Sequence, residues 1–101
     1  MIIYNVTIQV NHSIHDEWIE WLRTTHIPQV IATGCFTESH ILRLLEVDET
    51  DGPTYAVQYK AINLGHYERY IAQYADTLRQ DGINKWGDQF IAFRTLMSVI
   101  E

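Results

Sequence analysis

"FTESHILRLLEVDETDGPTYAVQYKA", residues 36 to 61, sets two β-forming runs side by side with no helical pattern between them. The second run, Thr54 to Ala61, alternates Tyr55, Val57 and Tyr59 with smaller or more polar neighbours, the period of a strand with one buried face. The first, Phe36 to Val47, is rich in β-formers, and "ETDGP" supplies a turn. The stretch therefore predicts a hairpin in the middle of the chain.

Upstream, "IIYNVTIQV", Ile2 to Val10, alternates Tyr4, Val6, Ile8 and Val10 with Asn5, Thr7 and Gln9, which predicts a further strand. Between it and the hairpin lies an amphipathic helix. Ser13 is its expected N-cap, Asp16 and Glu17 suit its first turn, and Ile14, Trp18, Trp21, Leu22 and Thr25 form its stripe. Pro28 should bend that helix or restart it near Ile27, because proline lacks an N–H and its ring clashes with the carbonyl of Thr24. Gly34 then suits a positive-φ stop. Downstream, Asn63 is expected to cap a second helix with the stripe Leu64, Tyr67, Ile71, Tyr74 and Leu78; Gly82 ends or weakens it. "QFIAFRTLMSVI", Gln89 to Ile100, predicts the last strand, alternating Ile91, Phe93, Met97 and Val99 against Ala92, Arg94 and Ser98.

The order is β-α-β-β-α-β, a split βαβ pair that makes one α+β domain over residues 1–101, with two helices on one face of a four-stranded antiparallel sheet. The other face should present Ile3, Asn5, Thr7 and Gln9 beside Thr54, Ala56, Gln58 and Lys60, with Ala92 adding to its apolar part. Such a face is either solvated or packed on a second copy.

Thirteen acids against 7 Lys and Arg, a net charge of -6, argue against nucleic acid as a partner. No apolar run has the length of a membrane span and no leader pattern opens the chain, so a cytoplasmic protein is expected. Cys35 is alone and is expected to be a buried, inert thiol. His12 and His15 lack a third ligand at metal spacing and are expected to be solvated, and the acids between Glu46 and Asp51 depart from a calcium loop; no metal or cofactor is expected.

The chain resembles a small bacterial family of unknown function through "MIIYNVT" (1–7), "THIPQVIATGCF" (25–36), "YAVQY" (55–59) and "FIAFRT" (90–95). Such proteins are similar to the broad dimeric α/β barrel group, which includes antibiotic-biosynthesis monooxygenases, muconolactone isomerases and haem-degrading enzymes. The resemblance implies a ferredoxin-like protomer, a homodimer whose open sheets face each other, and a ligand cavity between sheet and helices. It implies no catalytic residues, and no motif around any histidine supports haem.

The candidate site residues come from chemistry instead. His26, at the edge of the stripe containing Trp18 and Trp21, either exchanges a proton with a ligand or braces a carbonyl freed by the kink. Trp21 and Tyr59 are candidate apolar walls. Arg43 and Arg94, both in β-forming runs, either pair with carboxylates or reach the surface, the alternative being that they anchor an anionic ligand. Two functions follow: a small-molecule enzyme or binder using this cavity, or a non-catalytic dimeric module that binds a protein or peptide. A cavity lined by His26 and an arginine favours the first; one filled by Trp18, Trp21 and Phe93 favours the second.

Overall fold

Side chains of alternating polarity make the central strand pair. In the computed structural model, which describes residues 1–101, β1 (Ile2–Val10) pairs antiparallel with β3 (Thr54–Ala61) on one side and with β4 (Phe90–Ser98) on the other. Strand β2 (Glu38–Arg43) completes the sheet beside β3, giving the order β2-β3-β1-β4. The register places Tyr4 opposite Tyr59, Val6 opposite Val57 and Ile8 opposite Tyr55, so one face is apolar and aromatic. All helices lie against that face, and Tyr4, Ile8, Val57, Tyr59, Trp18, Leu22 and Tyr70 are buried in the common core. The fold is ferredoxin-like.

The first helical segment is one rod with a defect. Helix α1 (His15–Trp21) passes through a π-helical turn, Leu22–His26, into α2 (Ile27–Ala32). The Ile27 N–H donates to the carbonyl of Leu22, five residues back, and Thr24 Oγ1 donates to the carbonyl of Glu20 at 2.7 Å. Pro28 explains the defect: widening the turn separates its ring from the Thr24 carbonyl without leaving helical dihedrals. The restart at Ile27 agrees with the sequence, as does Gly34, whose φ of 77° follows the helix end.

Several local expectations are corrected. Ser13 is not the cap: Asn11 accepts from the Ser13 N–H at 2.9 Å and nucleates a single 3-10 turn, His12–Ile14, before α1. Strand β2 stops at Arg43 rather than Val47, and the 44–53 loop returns to β1, where Pro53 accepts from the Val10 N–H and Asp51 from that of His12. Only glycine fits at position 52, because a Cβ there would stand 1.7 Å from the Val10 carbonyl oxygen. Asn63 does cap α3 (Leu64–Gln73), accepting from His66, but Tyr74 breaks the segment and α4 (Ala75–Trp86) continues through Gly82 to stop at Gly87.

Ala92 is also misplaced by the sequence pattern. It pairs with Ile8 and faces the helices, whereas Ile91, Phe93 and Met97 occupy the open face opposite Gln9, Thr7 and Ile3. The open face is thus more apolar along β4 than expected, with Phe93 61% and Ile91 66% exposed.

Candidate functional site

Between the covered sheet face and the helices lies a cavity of about 70 Å³. All three tryptophans of the chain border it: Trp18 and Trp21 from α1 and Trp86 from the end of α4. Tyr4 and Tyr59 rise from the sheet, Tyr70 descends from α3, and Gly82 leaves room where a side chain would meet Trp21.

His26 enters this space from the π turn. Its ring stacks on Trp21 with centroids 4.8 Å apart and planes 23° from parallel. Nδ1 is buried and has no hydrogen-bond partner in the protein, so the imidazole does not brace a carbonyl through that nitrogen. Burial pushes the His26 pKa below its ordinary value; Arg94 adds to this and Asp81 opposes it. Neutral imidazole is therefore the resting form near pH 7, able to accept a proton at one nitrogen and donate from the other.

Two guanidinium groups converge on one phenol. Arg79 Nη2 donates to the Tyr4 hydroxyl at 3.0 Å and Arg94 Nε donates to the same oxygen at 3.1 Å. Arg79 is half-buried and its Nε–H, like the Trp86 Nε1–H, is enclosed without an acceptor. Burial pushes the phenols of Tyr59 and Tyr70 well above their ordinary range, so both remain neutral.

The structure brings together His26, Trp21, Tyr59 and Arg94, as sought from the sequence. Arg43 is excluded from the group. It shares its sheet face with Tyr55 but sits at the end of β2, where its Nη2 pairs with Glu49 at 3.0 Å on the surface. Arg94 forms no ion pair and is exposed, the surface position the sequence allowed for it, while its Nε reaches back to Tyr4. His15 is not solvated: it stacks on Tyr55, and its Nε2 lies 2.6 Å from the Tyr55 hydroxyl. His12 is exposed but contacts the Glu49 carbonyl at 2.8 Å. Cys35 is buried as expected.

Sequence reasoning missed Arg79, Trp86 and Tyr4 as polar contributors. A signal existed for the first two: Arg79, Gly82 and Trp86 are spaced three and four apart, which puts them on one helix face.

Residues 1–100 match the family described as a domain of unknown function (DUF4286). The chain belongs to this family. No curated protein matches it in sequence. Among solved structures it is similar to a dimeric ferredoxin-like protein from an uncultured marine organism, with 12% identity, a TM-score of 0.75, and coverage of 99% of this chain and 95% of that one. It is also similar to a proposed antibiotic biosynthesis monooxygenase from Deinococcus radiodurans, with 18% identity, a TM-score of 0.60, and coverage of 100% and 94%. At these identities the likeness is one of fold, and the DUF4286 chain shares the ferredoxin-like architecture of both. No helix is long and apolar enough to cross a membrane.

Proposed function

We propose that this DUF4286 protein is a homodimer that binds, and through His26 can transform, a small molecule in the cavity between sheet and helices. One observation carries the reading: three enclosed nitrogens without partners, His26 Nδ1, Arg79 Nε and Trp86 Nε1, all belong to residues of the same cavity. Buried polar groups are nearly always satisfied, and leaving one unmet costs about 1–3 kcal/mol. Three around a single space argue for a polar guest. A cavity of about 70 Å³ is below the roughly 300–1,000 Å³ of drug-sized sites, which favours a compact ligand.

The chemistry open to this set is proton transfer. His26, neutral by burial, is the acid/base group, Trp21 and Tyr59 are apolar walls, and the arginine-bound Tyr4 hydroxyl lies in the same enclosure. The alternative of a closed, filled core loses support, since Phe93 lies on the opposite sheet face and fills nothing here.

Dimerisation is supported by the open face, where Ile91, Phe93, Met97 and Leu42 are exposed together, and by the dimeric state of the marine relative. A thermal-shift screen of small polar compounds tests the cavity. Hits on the wild type should lose about tenfold or more in affinity in His26→Gln, the loss of one well-placed hydrogen bond. Hits indifferent to His26→Gln and to a cavity-filling Gly82→Leu would overturn the reading.

A further inference from the structure

We propose that the ligand of this cavity is a compact carboxylate with a short apolar body, held by Arg79 and Arg94 around the Tyr4 hydroxyl. The inference rests on the small-molecule reading above and assigns its chemical class. In a chain with 13 acids and only 7 Lys and Arg, basic side chains have carboxylates to spare. Yet the protein's two Lys or Arg ion pairs, Arg43–Glu49 and Lys60–Glu38, lie elsewhere. Arg79 and Arg94 meet on a phenol oxygen instead, a neutral acceptor, and neither has a carboxylate partner in the protein. Asp81, whose charge is felt at His26, is exposed and pairs with neither.

The remaining groups point the same way. The Arg79 Nε–H and Trp86 Nε1–H are donors only, and both are enclosed without an acceptor. Tyr4, occupied as an acceptor by two guanidinium groups, keeps its own O–H to donate. A site of donors and positive charge selects an anion, and the planar guanidinium fork matches a carboxylate. The tryptophan and tyrosine walls match an apolar body rather than a heavily hydrated inorganic oxyanion. Arg94 keeps access to solvent while lining the cavity, which marks the mouth through which a charged ligand enters. His26, across the same space, would then face the carbon chain of the bound acid.

Because every tryptophan borders the cavity, intrinsic fluorescence reports its occupancy. Isobutyrate should change the emission of the full chain saturably, while the neutral isosteric isobutyramide binds at least about tenfold more weakly, the loss expected when a charge-assisted contact is removed. Inorganic phosphate should give no saturable change. Arg79→Gln should weaken isobutyrate binding by at least about tenfold and bring it level with the amide. Arg94→Gln, at an exposed position, should do so to a lesser degree and keeps the test decisive if Arg79→Gln does not fold. Equal binding of isobutyrate and isobutyramide would overturn the carboxylate assignment while leaving a small-molecule cavity in place. Tighter binding of phosphate would overturn it too. Silence from all three would also reject it, and the His26 and Gly82 variants in the compound screen then decide the broader reading separately.

Discussion

The two faces of the sheet are incomplete in opposite senses. On the covered face, inside the aromatic core, nitrogens of His26, Arg79 and Trp86 lack polar partners. On the open face, in water, Phe93, Ile91 and Met97 lack apolar cover. A purely structural sheet would reverse both, placing its unmet polar groups in solvent and its large apolar side chains under helices. On the function proposed above, the covered face takes a polar guest and the open face takes another apolar surface.

Substitutions at matched aromatic positions should separate these needs. Trp18→Ala, at a residue only 2% exposed, should lower protomer stability by about 3–5 kcal/mol, read by chemical denaturation. Phe93→Glu should leave the protomer folded but weaken dimerisation by about a hundredfold or more in sedimentation equilibrium, since it removes about 1.5–3 kcal/mol of side-chain burial and adds a charge. Ala56→Lys should act the same way more weakly. If Phe93→Glu unfolds the protomer, or leaves its association unchanged, the contrast between the faces fails.

A smaller effect belongs to His26. Its folded pKa lies below the unfolded value of about 6.5, so between the two the unfolded chain binds the extra proton. Stability from neutral His26 is therefore full above about pH 6.5 and declines as pH falls toward the folded pKa. His26→Gln should flatten that part of the stability profile below about pH 6.5, measured by denaturant melts across pH. The smallest change is Gly82→Ala. Its Cβ would sit at an ordinary 3.5 Å from Trp21, so the protomer should gain about 0.5–1 kcal/mol from helix propensity. The same methyl narrows the cavity, and any ligand should bind less well as the fold becomes more stable.

The strands were legible because the period of two survives into the sheet: the β1 and β3 residues expected on each face are there. Strand β4 resisted the same reading. Its more apolar set, Ile91, Phe93 and Met97, faces outward, so the rule that the apolar face is the core face misassigned Ala92. His26 was legible through Pro28, which signals a disturbed helix and a side chain freed from the regular stripe. Arg79 and Trp86 were not, because the apolar stripe reads only to Leu78 and Gly82 reads as a helix end, whereas α4 runs through Gly82 to Trp86 and Arg79 carries no apolar signal beside Leu78. Arg43 and Arg94 look alike in sequence, each inside a β-forming run. Only the register puts one at a sheet end beside Glu49 and the other opposite Val6, over the cavity.

The most direct test of the cavity as a ligand site is the indole Nε1–H of Trp86 in a nitrogen-resolved NMR titration with isobutyrate. The three indole signals of the wild type report three walls of one space. The expected result is a saturable downfield shift of the Trp86 Nε1–H, larger than those of Trp18 and Trp21, as an enclosed donor gains its acceptor, with the shift much reduced in Arg79→Gln. A Trp86 signal that stays fixed while isobutyrate reaches saturation by any other measure would contradict the account, as would a shift unchanged by Arg79→Gln.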